Sequence, residues 1–137
     1  MKIYKYMLRN SLLACFAGCC ISFASASNPP FFPSDIVLNE KGEMLIAEKG
    51  MKRVDIFSPD GKALLHSFPM DEQPTGILLD GDKAYVTTFG TTGHLQVLLL
   101  ESGRVEASIP TGSGACYPMF GPDKKHIYAV SYTHLRA

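Results

Sequence analysis

A six-residue echo constrains this chain more than any other feature. Pro33–Leu38 (PSDIVL) returns as Pro74–Leu79 (PTGILL), 41 residues later, and the same offset relates Phe68-Pro69 to Ile109-Pro110. A chain that repeats itself this way must bury equivalent faces against equivalent neighbours, so the repeat is the unit whose folding has to be explained.

Each repeat divides into four short runs separated by turn residues. In the first they are 35–38, 43–48, 53–57 and 63–68, broken by Lys41-Gly42, by residues 49–52 and by Pro59-Asp60-Gly61. In the second they are 76–79, 83–88, 94–100 and 104–109, broken by 80–82, 90–93 and 101–103. Glycine and Asp-Gly pairs supply the positive φ angles of tight hairpins. The third repeat begins near Tyr117 and reaches a second run, 125–129. Four short strands on a period of about 40–45 residues are the pattern of a propeller blade. The expected fold is therefore all-β, a β-propeller fragment of about two and a half four-stranded blades, from a full protein of roughly six or seven blades.

Alternation within the runs agrees. Leu64, His66 and Phe68 correspond to Val105, Ala107 and Ile109, whereas Ala63, Leu65 and Ser67 correspond to Arg104, Glu106 and Ser108. Period-two patterning sends one set toward a neighbouring blade and the other toward solvent. The first runs, Ile36-Val37-Leu38 and Ile77-Leu78-Leu79, are apolar at successive positions, as strands covered on both faces must be. Prolines and glycines recur too often for a sustained helical period.

The ends of the chain read differently. Lys2, Lys5 and Arg9 precede an apolar run from Ser11 to Phe23, and Ala24-Ser25-Ala26 supplies small residues at a cleavage point, so residues 1–26 read as a signal peptide. The run of about 13 residues is shorter than the roughly 20 a membrane helix needs. A competing reading takes Phe16–Cys19 (FAGC) as a lipobox with Cys19 the lipidated residue; Leu12–Cys15 (LLAC) fits the same pattern with little apolar sequence before it. Both routes place the protein outside the cytoplasm, in the periplasm, at the cell surface or secreted. At the other end, residues 130–137 (VSYTHLRA) resemble the translation of a transposase adapter used in shotgun sequencing. On that reading the natural protein continues past Ala129, and the interpretable domain is 27–129, with repeats at 33–73, 74–114 and 115–129.

Three of the four cysteines lie in the leader, so the exported chain keeps Cys116 alone and holds no disulfide framework and no CxxC metal site. Thirteen basic residues balance thirteen acidic ones, interspersed in sign, which argues against nucleic acid as partner.

With these residues in view, the chain resembles known repeat families. Gly76–Pro110, with Lys83–Thr88 (KAYVTT) and Ser102–Pro110 (SGRVEASIP), resembles the YVTN-type β-propeller repeats of exported bacterial proteins, as does Gly121–Tyr128 (GPDKKHIY). Arg53–Lys62 (RVDIFSPDGK) also resembles an NHL repeat. Thr88 and Glu48 stand where the YVTN pattern prefers Asn, and Leu99-Leu100 replace its usual Ile-Asp. WD repeats are disfavoured, because the chain has no tryptophan.

Such repeats carry structural residues rather than catalytic ones. Propellers place ligands at the central channel, where each innermost strand begins, so Ser34, Thr75 and Cys116, with Asp35, Gly76 and Tyr117, are the equivalent positions; Ser34, Asp35, Thr75, Cys116 and Tyr117 are the ligand-facing candidates. The alternative for hydroxyls and carboxylates at such points is bonding to nearby backbone. His66, His94 and His126 occupy non-equivalent positions without metal-ligand spacing. Asp71-Glu72, Asp80 and Asp82 are compatible with calcium, and equally with solvated turns. No catalytic triad, phosphate loop or HExxH motif occurs, so no catalytic residue, metal or cofactor is assigned to this segment.

Three functions stay open: a noncatalytic exported scaffold for a protein or small-molecule ligand; a propeller enzyme of the lactonase-like or quinoprotein-like kind; and the propeller part of an electron-transfer protein, with haem c in a downstream c-type cytochrome domain marked by CxxCH. With part of the ring, residues 27–129 are expected to fold incompletely or aggregate through uncovered strand edges.

Overall fold

The computed structural model describes residues 31–131; the segment read from the sequence as a signal peptide, 1–26 with Cys15 and Cys19, lies outside them, as do residues 132–137. Ten strands and no helix occur among the described residues. The first sheet comprises β1 (Pro33–Leu38), β2 (Met44–Glu48), β3 (Arg53–Phe57) and β4 (Leu64–Pro69). The second comprises β5 (Gln73–Asp80), β6 (Lys83–Phe89), β7 (His94–Leu99) and β8 (Val105–Pro110). In the third, β9 (Ala115–Phe120) pairs with β10 (Ile127–Ser131), two residues past Ala129. Every pairing is antiparallel between consecutive strands, so each four-stranded sheet is a simple meander. These are two complete propeller blades and half of a third.

The core is the seam between blades. Leu45, Ala47, Val54, Ile56 and Phe68 lie on one face of blade 1, and Ile77, Ala84, Val86 and Leu98 on the facing side of blade 2; all belong to one buried cluster. Register explains the membership. Ala47 opposes Val54, which opposes Phe68, and Ile77 opposes Val86. Cross-strand rows are therefore apolar on the faces that meet, which is how a sheet with no helix to cover it acquires a core. Gly103 sits in the turn after β7, φ +67°, where a Cβ would stand 2.6 Å from the Phe68 ring. That turn of blade 2 caps Phe68.

The outer strands depart from strict alternation. β4 slips register between Ile56 and Phe57, and β8 slips between Val97 and Leu98, so Leu65 and its equivalent Glu106 are bulged at the same place in both blades. Phe68 is 8% exposed, but its equivalent Ile109 is 50% exposed. The third sheet has two strands among the described residues, so nothing corresponding to the Gly103 turn covers Ile109.

Candidate functional site

Antiparallel meanders place the starts of the inner strands β1, β5 and β9 at one end of the sheets. The β2–β3 turn (49–52), the β6–β7 turn (90–93) and the blade links (70–73 and 111–114) gather at that same end. It is the rim on which the ligand-facing candidates lie.

All three inner strands carry a bulge at this end, between Pro33 and Asp35, between Pro74 and Gly76, and opposite Tyr128 to Val130. The bulge re-aims the side chain of its extra residue. The Ser34 hydroxyl lies 2.8 Å from the Pro74 carbonyl and 3.2 Å from the Ala47 carbonyl, and its single proton is better placed for Pro74, across the seam. One repeat later the Thr75 hydroxyl donates across the next seam to the Ala115 carbonyl. The two latches are the same bond in successive blades, because Pro74 and Ala115 are equivalent residues at the starts of successive inner strands, 41 positions apart.

Asp35 adds a second tie. Its Oδ2 accepts from the Ile77 amide at 2.8 Å, and its Oδ1 accepts from Ile36 N. At the following seam the equivalent of Ile77 is Pro118, which has no N–H to offer. Correspondingly, the equivalent of Asp35 is Gly76, and a Cβ there would stand 2.7 Å from Pro118 Cδ and 3.1 Å from Tyr117 N. The carboxylate is present where a donor exists and absent where the proline ring fills its space. Cys116 is buried. Tyr117 is exposed with φ +52°, a left-handed backbone that costs a non-glycine residue about 1–2 kcal/mol. Thus Ser34, Asp35 and Thr75 spend polar atoms on the seams, whereas Tyr117 presents its ring outward.

A second group on the rim was visible in the sequence only as separate turn residues. Glu72, in the blade link, accepts from the Thr88 hydroxyl at 2.6 Å and lies 2.9 Å from His94 Nδ1, both through Oε2. Thr88 Oγ1 in turn accepts from His94 N at 3.0 Å. These bonds, led by the Thr88 hydroxyl and then His94, hold the Glu72 carboxyl below its ordinary value of 4.5. Gly90 leaves the space the carboxylate occupies, since a Cβ there would collide with it. The links are also clasped by backbone: Met70 N donates to Lys52 O at 2.8 Å, and Thr111 N donates to Gly93 O at 3.1 Å. Lys52 and Gly93 are equivalent, and both have positive φ.

Around this cluster runs a shallow groove of about 350 Å³ lined by Lys52, Asp71, Glu72, Gln73, Phe89, Gly90 and Thr91. Lys49 Nζ stands 5.0 Å from the centre of the exposed Phe89 ring, a cation–π contact. Nearby, Glu48 is fully buried; its Oε1 accepts from Phe32 N and Gly50 N, while Oε2 has no hydrogen-bond partner among the described residues. His66 stacks on Phe68 at 5.9 Å, and His126 pairs with Asp123 at 2.7 Å in the β9–β10 turn, far along the chain from either His94 partner. Among the described residues no three His, Cys, Asp or Glu side chains form a group able to hold a metal ion.

No protein-family model matches the chain, and no curated protein does. Among solved structures it is similar to Kuenenia stuttgartiensis hydrazine synthase, with a TM-score of 0.66 and 15% identity over 84% of this chain. The chain spans 33% of that protein's length. At that identity the likeness is one of fold.

Proposed function

We propose that this chain is an exported β-propeller repeat protein of the YVTN-type and NHL-like kind, acting outside the cytoplasm as a scaffold that binds a protein or small-molecule partner on the rim described above. The observation that carries the reading is a division of labour at that rim. The inner-strand hydroxyls and Asp35 are engaged in blade-to-blade bonds, while the turns leave a cation, a carboxylate and an aromatic ring side by side around the groove. Paired charges with an exposed ring suit recognition better than bond cleavage, which calls for a nucleophile beside a base. The apolar run before Ala26 supplies the export signal.

Site-specific photo-crosslinking tests this. A benzophenone side chain is placed at Phe89 or Thr91 on the rim, and at Pro59 in the β3–β4 turn on the opposite end, in cells expressing the chain. Discrete adducts in the extracytoplasmic fraction from the rim positions, and none from Pro59, are expected. Equal labelling from both ends, or none from the rim, overturns the proposal.

A further inference from the structure

The rim groove lies where two complete four-stranded blades meet, at strand ends rather than on a sheet face, so both blades that build it are already in place. Its aromatic element is Phe89, the last residue of β6, which is 45% exposed. Gln73 is its partner across β5 and β6. Directly opposed residues project to the same side of a sheet, so an amide that both donates and accepts stands beside the ring. Asp71 and Lys52, both exposed and in no ion pair among the described residues, line the same groove, as does Thr91. Glu72 completes the wall, and Thr88 and His94 fix its carboxylate in place before any ligand arrives.

This set selects against ions. Two carboxylates, Asp71 and Glu72, stand against the two ammonium groups of Lys49 and Lys52, so neither an anion nor a cation meets a net complementary charge. A ligand cation is also forestalled at the ring, because Lys49 Nζ already stands over it. The lining suits an uncharged molecule whose groups both donate and accept, and which offers a flat apolar face to Phe89. Hydroxyls meet the first demand, since one hydroxyl can donate to a carboxylate while accepting from an ammonium. A pyranose with equatorial substituents meets the second, because its axial C–H bonds turn slight positive charge toward the electron-rich face of an aromatic ring. We infer that the groove binds a neutral carbohydrate of β-linked, glucose-like rings, one ring packed on the exposed part of Phe89 and its hydroxyls shared among Asp71, Gln73 and Lys52. The inference rests on the rim-binding reading and names the ligand class within it.

Saturation-transfer NMR on the full chain tests it, with cellotetraose and chitotetraose as probes. Transfer to the axial C–H protons of at least one probe is expected, and none to sorbitol, which carries hydroxyls without a flat ring face. Phe89→Leu keeps an apolar side chain but no ring and should weaken binding about two- to tenfold, whereas Phe89→Tyr should bind as the parent does. Added salt should change little, because the ligand is neutral. A dispersed amide spectrum from each variant shows that it is folded. No transfer to either probe overturns the inference, as does transfer that Phe89→Leu leaves undiminished or that salt abolishes. Rim photo-crosslinks to a protein, without transfer to either sugar, overturn the carbohydrate inference and leave the rim-binding reading standing; loss of both overturns both.

Discussion

Gly76→Ala isolates the role of close packing between inner strands. Gly76 is buried, and its φ lies outside the left-handed region, so alanine meets no backbone strain there. What it meets is matter. The added Cβ would stand 2.7 Å from Pro118 Cδ, 3.0 Å from Thr87 Oγ1 and 3.1 Å from Tyr117 N. Carbon atoms pack at about 3.5–4.0 Å, so the proline ring has to retreat by roughly 1 Å. Neither the ring nor a backbone nitrogen can swing aside as the end of a flexible chain does; β9 has to move as a unit. Overpacking of this kind costs about 1–3 kcal/mol. For a domain of this size, each kcal/mol lowers the melting temperature by about 4–8 °C, so a fall of roughly 5–20 °C is expected. Hydrogen exchange locates the damage: protection should drop in β9 and β10 and persist in β1–β4, whose seam with blade 2 is untouched. Gly81→Ala is the counterpart, with φ +59° and nothing within 4 Å of its Cβ, so its cost is conformational and its exchange effect confined to the β5–β6 hairpin. An unchanged melting temperature for Gly76→Ala, with β9 protection intact, would refute the argument that this glycine exists to admit Pro118.

Two further outcomes follow from the rim. Asp35→Ala leaves the Ile77 amide, at a buried residue, without its acceptor and should cost about 1–3 kcal/mol in urea unfolding; Asp35→Asn keeps a carbonyl oxygen for that amide and should lose less, so equal losses would count against the bond. The folded-state carboxyl of Glu72 titrates below its ordinary 4.5, so its contribution is fully present above that value and is lost as pH falls through the lower, folded value. Melting temperature measured from neutral to acid pH should therefore fall less steeply in Glu72→Gln than in the parent, and parallel curves would remove Glu72 as a source of the acid sensitivity.

How much of this was legible in the sequence depends on whether a residue answers to its own strand or to the next blade. The strands themselves were legible. β3 spans Arg53–Phe57 as expected, and most other strands agree to within a residue or two, because hairpin turns and period-two patterning are local. β5 is longer than its apolar core, starting at Gln73, because Pro74 and Gln73 pair with Thr88 and Phe89 around the bulge. The equivalence of Ser34 with Thr75 was readable too, but the destination of the hydroxyls was not: the carbonyls they reach are 40 residues away, on a different sheet. Glu72, Thr88 and His94 looked like three unrelated turn and strand-end residues, with spacings of 16 and 6 that match no local motif.

By itself the sequence determined the blade: a four-strand unit, repeated, with apolar rows on alternate positions and turns where glycine permits them. These follow from short-range sterics and from the burial demanded of any sheet face. Only the tertiary structure decided which face of each blade is covered and which atoms are spent in holding blades together. Phe68 and Ile109 occupy the same place in the repeat, yet one is buried and the other exposed, because burial belongs to the neighbour that arrives rather than to the residue that waits. The same holds for Asp35 and Gly76, whose difference makes sense only against Ile77 in one adjoining blade and Pro118 in the other.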